Sequence, residues 1–347
     1  MTTKFFLVEQ STFRNCNFAC TYCSPAGEKR CGNKIQLAKA FANEKRVNDW
    51  LKSNVAPSIF KISGNGEITL LDGYETMLFP SAHNIVITNG SRVHPNTITR
   101  VIEAGTSLVV QVSLDGNTAR SNALRTPSAQ VHARIIANVI GLVEAHVPVE
   151  INCVLTRQNM PGIEAFLDWI VDLRDQHDAC IKLVPLPLRA LKTNDNQRFQ
   201  LDARQIEKAW QVFVDQHDAR RIVLPPARYL EHVHAFLQSH HRTVPCKHTR
   251  HSLIVGKDNA ILPCGCGPAL ACGSIFHGGL DRRLDSLRQY PTAYCKECFT
   301  HSDMINLYLD GQVTIGEIAA MPSYAPLHVQ EALTHLRQEG EANHAQP

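Results

Sequence analysis

A chain of 347 residues is long enough for one large domain with a smaller companion, and 44% hydrophobic against 19% charged residues is the balance of a folded protein, not a disordered or fibrous one. A formal net charge of +3, with acids and bases intermixed, argues against a nucleic-acid partner, which needs a dense Lys/Arg footprint. No apolar run approaches bilayer length, and the first residues lack the charged start, long apolar stretch and cleavage site of a signal peptide, which predicts a cytoplasmic location and no membrane partner.

Along the first half, short segments rich in Val, Ile, Leu or Phe alternate with amphipathic ones. The pattern predicts strands over residues 5–9, 59–63, 84–88, 108–114, 150–155 and 181–185, and helices over 37–53, 96–104, 129–145 and 162–174. Strand–helix repetition implies a parallel sheet covered by helices. Six units fall short of an eight-fold barrel, so the expected fold class is α/β, a partial (β/α)6 barrel with ligands at the C-terminal strand ends. The rhythm stops near Pro187. Helices follow over 202–216 and 226–240, and the turn Gly256-Lys257-Asp258-Asn259 predicts a β-hairpin of 251–255 with 260–263. A last helix is expected over 325–338. The expected organisation is a barrel over 1–190, a helical linker over 191–243, a small cysteine-rich domain over 244–310, and a C-terminal helix and tail over 311–347.

The chain has twelve cysteines, and in a reducing compartment a clustered set reads as metal ligation before disulfides. All but Cys153 and Cys180 fall within residues 16–31 and 246–298; Cys153 lies in a predicted strand and Cys180 immediately before one, and both read as core thiols. The first cluster, Cys16-Asn17-Phe18-Ala19-Cys20-Thr21-Tyr22-Cys23, directly follows the first strand. Three thiolates there can each ligate one iron of a cubane [4Fe–4S] cluster and leave the fourth iron open, whereas electron-transfer clusters use four cysteines. An open iron points to cofactor chemistry. Zinc, which prefers paired arms and four ligands in structural sites, is the alternative.

The Cys16/Cys20/Cys23 spacing, with the aromatic Tyr22 before the last cysteine, resembles the radical S-adenosylmethionine superfamily. Ser63-Gly64-Asn65-Gly66-Glu67 is similar to that family's Gly-Gly-Glu-Pro motif, which holds the cofactor's amino group, with Asn65 for a glycine and Ile68 for the proline. Glycines Gly64 and Gly66 would permit close backbone approach and Glu67 would face an ammonium. Gln111-Val112-Ser113 resembles the fourth strand, whose serine (Ser113) reaches the ribose, and Arg125 stands where similar enzymes pair with the cofactor carboxylate. Asn89 after the third strand and Leu155 at the end of the fifth complete the set, the latter against adenine. The resemblance implies that the open iron chelates S-adenosylmethionine. One electron then cleaves its carbon–sulfur bond, and the 5′-deoxyadenosyl radical takes a hydrogen atom from the substrate. It also implies a one-electron reductase, such as flavodoxin or ferredoxin, as partner.

In the second cluster, Cys246 and Cys264 flank the predicted hairpin and Cys295-Lys296-Glu297-Cys298 follows. Four thiolates would complete one auxiliary [4Fe–4S] cluster, and the arrangement looks like a twitch domain, the shortened SPASM form; a zinc knuckle is the alternative. Cys31, Cys266 and Cys272 remain as candidate hydrogen-donor thiols, alternative ligands or spare thiols. The catalytic base is not legible. The layout implies a radical oxidoreductase acting on a peptide or small natural-product intermediate, with the auxiliary cluster as electron acceptor. The alternatives are a redox-neutral epimerase with a cysteine donor, an RNA-modifying enzyme and a non-catalytic metal-binding module.

Overall fold

The computed structural model describes residues 2–23, 32–62, 66–189, 196–214, 219–264, 271–289 and 298–344. Eight strands form one sheet: β1 (Thr3–Gln10), β2 (Val55–Ile62), β3 (His83–Thr88), β4 (Leu108–Ser113), β5 (Val149–Leu155), β6 (Ile181–Pro187), β7 (Ser252–Val255) and β8 (Ile261–Leu262). Their order is β6-β5-β4-β3-β2-β1-β7-β8. Every neighbouring pair is parallel except the β7–β8 hairpin. The six strands expected from the sequence are β1–β6. The expected hairpin is β7–β8, and β7 extends the same sheet by pairing with β1, Leu7 opposite Ser252.

The helices are α1 (Lys34–Asn54), α2 (Pro95–Glu103), α3 (Ala129–Glu144), α4 (Ile163–His177), α5 (Ala203–Phe213), α6 (Ala219–Ile222), α7 (Ala227–Ser239), α8 (His248–His251), α9 (Leu280–Arg288), α10 (Asp303–Leu309), α11 (Ile315–Ala319) and α12 (Leu327–His344). α1 starts on a capping box in which Asn33 and Gln36 satisfy each other's backbone N–H groups. Val109, Val110 and Val112 of β4 and Val149 and Ile151 of β5 are fully buried, the continuous burial of a parallel sheet covered on both faces. No described helix is long and apolar enough to cross a membrane.

Strand pleating sorts the side chains into two sets. Leu7, Ile59, Lys61, Ile85 and Gln111 face one small cavity together with His301, Ser302, Ile305 and Tyr324, so the inner face of the curved sheet is filled by α10 and its flanks. Inside, Glu150 on β5 accepts from the Ser323 N–H (2.9 Å) and hydroxyl (2.6 Å) and from Gln111 (2.7 Å), with His301 Nε2 at 2.9 Å. Burial alone would push the Glu150 carboxyl up; His301 and the Ser323 hydrogen bonds outweigh it and hold it at about 2. His83 on β3 contacts the Pro322 carbonyl at 3.1 Å. The last quarter of the chain thus closes the barrel from within.

Candidate functional site

The loop that follows β1 carries Cys16, Cys20 and Cys23 at the C-terminal edge of the sheet. Its root is tied on both sides. Ser11 N–H donates to the Val255 carbonyl of β7 (2.8 Å). Gln10 and Thr12 donate to the buried Glu44 carboxylate of α1, whose pKa burial pushes up. Phe13 and Phe18 anchor the loop in the core. Cys16 and Cys20 are buried and Cys23 is half exposed, and the Phe18 N–H points at Cys16 Sγ (3.4 Å).

The loops after β2, β3 and β4 all reach this segment. Glu67 N–H donates to the Asn15 carbonyl at 2.7 Å. A Cβ on Gly66 would stand 2.5 Å from that same carbonyl and 2.8 Å from the Arg14 carbonyl carbon, so glycine is required for the two loops to touch. Asn17 exchanges hydrogen bonds with Ser91 and Asn89, both at 2.9 Å. Thr21 N–H donates to Leu124 O (2.8 Å) and Cys20 Sγ lies 3.7 Å from Arg125 O. Behind β6, Asn196 donates to the Tyr22 carbonyl at 3.2 Å.

Two buried carboxylates hold these loops in place. Glu67 accepts from the Thr69 N–H and hydroxyl, the Thr88 hydroxyl (2.7 Å) and the Asn89 N–H (2.5 Å). Three of the donors fall on Oε1 and the Asn89 N–H on Oε2, so Glu67 staples the β2 loop to the end of β3. Burial raises its pKa and these bonds oppose the rise. Asp115, just past β4, accepts from the Tyr22 hydroxyl, from Arg125 Nε (3.2 Å) and Nη2 (3.1 Å), and from the Val154 N–H (3.0 Å). The Arg125 and Asp115 side chains are 9% and 2% exposed. Asn122 and Asn159 fix the Asp115 backbone. Sequence reasoning missed Asp115, Asn122 and Asn159. The available signal was the polar run Asp115-Gly116-Asn117 closing a buried strand, which reads equally as an ordinary turn.

The other expected residues fall as follows. Ser113 ends β4 opposite Asn152, at the rim of the inner face. Leu155 is buried and lines a cavity with Ala209, Phe213, Leu230, Val233 and Leu237, so its side chain faces α5 and α7. The inner-face neighbour at that level is Val154. Gly64, Cys31, Cys266 and Cys295 lie outside the described residues. Cys153 is fully buried and its pKa is raised by burial, as a core thiol should be; Cys180, expected likewise, is exposed and stands just before β6. In the second set, Cys246 and Cys298 are buried, and Arg242 lies within electrostatic reach of both. Burial raises the Cys246 pKa, while Arg242 and the His248 N–H oppose the rise. Cys264 follows β8, and Cys272 N–H donates to Ile261 O (2.8 Å) on that strand.

Among the described residues no three His, Cys, Asp or Glu side chains converge closely enough for one metal ion. A cubane has a different requirement: each thiolate takes its own iron, so the sulfurs surround a group and do not meet at a point. Three thiols on one loop, two of them buried, with a glycine-permitted close approach beside them, fit such a group.

No protein-family model matches the chain, and no curated protein matches it in sequence. Solved structures match it in fold. Streptococcus suis SuiB aligns at TM-score 0.53 and 12% identity over 84% of this chain and 67% of SuiB, and is also known bound to S-adenosylmethionine and to precursor peptide SuiA. anSMEcpe with bound AdoMet and Kp18Cys peptide aligns at 0.54 and 16% identity over 82% of this chain and 80% of that one. A histidine-tagged anSMEcpe with bound AdoMet aligns at 0.52 and 12% identity, covering 98% and 93%. The chain spans about two thirds of the length of SuiB. Its fold is therefore the one shared by SuiB and anSMEcpe, the partial α/β barrel expected of the radical S-adenosylmethionine superfamily.

Proposed function

We propose that this chain is a radical S-adenosylmethionine enzyme that modifies a peptide. In this reading Cys16, Cys20 and Cys23 hold the open cluster, and Cys246, Cys264, Cys295 and Cys298 hold an auxiliary one. The observation that carries it is the convergence of the loops after β2, β3 and β4 on a single three-cysteine segment. The peptide class is taken from the two similar structures, one with SuiA and one with the Kp18Cys peptide. When bound, the reduced cluster and its cofactor supply a radical able to remove hydrogen from an unactivated carbon.

The chain's own residues orient the cofactor and exclude water, because a misplaced radical reacts with whatever is near. Arg125 has five N–H donors and commits two to Asp115; the remaining three suit a cofactor carboxylate, and Asp115 fixes where they point. Glu67 Oε1 takes three of the four donors and Oε2 only the Asn89 N–H, which leaves Oε2 with acceptor capacity for the cofactor's amino group. Ser113, Asn89 and the Val154–Leu155 backbone border the ribose and adenine. In this reading the reaction is a net oxidation, with the auxiliary cluster accepting the electron left after hydrogen abstraction. A low-potential flavodoxin or ferredoxin would reduce the first.

The test is anaerobic incubation of the reconstituted protein with dithionite and S-adenosylmethionine. Release of 5′-deoxyadenosine by the wild type, and none by a Cys16/Cys20/Cys23 triple alanine variant, is the expected result. No release by a wild-type preparation that holds iron and sulfide overturns the assignment.

A further inference from the structure

The amino-terminal end of the barrel, opposite the edge that carries the cysteine loop, holds a cleft of about 570 Å³. It lies between the first residues of β1 and β2 and the helices α8, α9 and α12. Lys4, Arg250, Arg288 and His335 line it against one carboxylate, Glu339. The chain as a whole has 35 Lys and Arg against 32 Asp and Glu, so the excess is local and does not follow from composition. Arg288 shares its charge with Asp285 at 3.6 Å, both exposed. Lys4 and Arg250 have no ion-pair or side-chain hydrogen-bond partner among the described residues. Phe5, Phe6, Pro57, Ala332 and Leu336 make the rest of the wall apolar.

His251 belongs to the same wall and is 2% exposed. Its Nδ1 lies 2.8 Å from the Ser252 hydroxyl, while Nε2 is buried with no hydrogen-bond partner among the described residues. A buried polar atom left unmet is rare in a finished fold and calls for a reason. Burial, with His248 and Lys247 nearby, pushes the imidazole well below its usual value. The ring is therefore neutral, and the fixed positive charges of the wall are Lys4, Arg250 and Arg288. Like charges gathered in a concavity repel one another and focus a positive potential into it; an anion seated among them relieves the repulsion. Ligand clefts run from about 300 to 1,000 Å³, and a lone oxyanion would leave most of this one to water.

We propose that this cleft is a second ligand site, separate from the cysteine loop, which takes an organic anion: a phosphate or carboxylate held by Lys4, Arg250 and Arg288, on an apolar body that covers Phe5, Pro57 and Leu336. Guanidinium groups match the planar, two-point geometry of such anions, and a lysine adds a point charge. β1 runs from Lys4 to Gln10 at the root of the cysteine loop, a span of about 20 Å at strand rise. A ligand in the cleft therefore does not meet the cofactor chemistry proposed for that loop.

The experiment is isothermal titration of the full-length reconstituted protein, at low salt and without oxygen, with phenyl phosphate, benzoate, inorganic phosphate and benzyl alcohol. At least one of the two aromatic anions should bind at one site per chain, roughly tenfold or more tighter than inorganic phosphate or benzyl alcohol. The tighter of the two names the anionic group. A Lys4→Gln/Arg250→Gln double variant, both positions exposed, should lose about tenfold or more in affinity, and Lys208→Gln, on α5, should lose nothing. Ala56→Trp narrows the cleft without changing a charge and should weaken binding to a similar degree; it decides the matter if the double variant does not fold. The Cys16/Cys20/Cys23 triple alanine variant should bind as the wild type does, which keeps this test apart from the reading of the cysteine loop. The proposal is overturned if neither aromatic anion binds saturably, or if the double variant keeps full affinity. Equal binding of inorganic phosphate, which would mean an oxyanion on surface cations only, overturns it too, as does loss of binding in the triple variant.

Discussion

At Asp115 one carboxylate joins the Tyr22 hydroxyl, the Arg125 guanidinium and the Val154 backbone, so the loops after β1 and β4 and the end of β5 share a single charge. Asp115→Asn leaves Arg125 buried without its counter-ion and replaces an acceptor by an amide donor facing other donors. Breaking a buried pair in this way costs about 3–5 kcal/mol, so urea unfolding should show a loss of that order, and S-adenosylmethionine binding should weaken with it. Wild-type stability and affinity in the variant would show that the hub is dispensable. Gly66→Ala tests the neighbouring contact: its Cβ would meet backbone atoms of Arg14 and Asn15, which cannot rotate aside. Overpacking of that kind costs about 1–3 kcal/mol, and iron bound per chain should fall while the far-UV spectrum stays that of the wild type. At this scale the cysteines and the Gly66-Glu67 pair were legible in sequence because their spacing is local. Asp115 was not, since its partner Tyr22 lies 93 residues away and an aspartate after a strand is ordinary turn chemistry.

Among the elements, the strands and long helices follow from alternating runs and amphipathic stretches, and the described boundaries lie within three residues of expectation except at the start of β2 (Val55 against 59) and the end of α12 (His344 against 338). The short helices α8, α10 and α11 span four to seven residues, under two turns, too few for a 3.6-residue period to register. Yet α10 and the turn at Pro322–Tyr324 are what fill the barrel. Their attachment to β5 through Glu150 is titratable. The carboxyl sits at about 2 in the fold against about 4.3 in an unfolded chain. Its folded pKa is depressed, so its contribution is fully present above the unfolded value and is lost as pH falls from about 4.3 toward 2, about 3 kcal/mol in all. Glu150→Gln should therefore be less stable at pH 7 and show a flatter acid limb in urea titrations. An acid limb as steep as that of the wild type would mean that other carboxylates carry it.

For the whole molecule, repetition of strand and helix was enough to give the partial barrel, and the six strands of the first half appear in sequence order from β1 outward. The sequence did not show that β7–β8 would extend the sheet from β1, because strand pairing across more than two hundred residues leaves no local pattern. Nor did it show that Arg242 and Asp303, which are 61 residues apart, would form a buried pair. Pairing of distant charges is invisible to spacing rules. The choice of a peptide over a small molecule in the proposed function likewise rests on likeness to SuiB and anSMEcpe alone.

The most direct measurement is EPR of the dithionite-reduced protein in a Cys246/Cys298 double alanine variant, recorded with and without S-adenosylmethionine. If Cys16, Cys20 and Cys23 leave an iron open, it would take the cofactor as a ligand, so the reduced [4Fe–4S] signal should change its g-values on addition, and carry nitrogen hyperfine coupling from an isotopically labelled amino group. A spectrum that is identical with and without the cofactor would contradict an open, cofactor-binding iron at this loop.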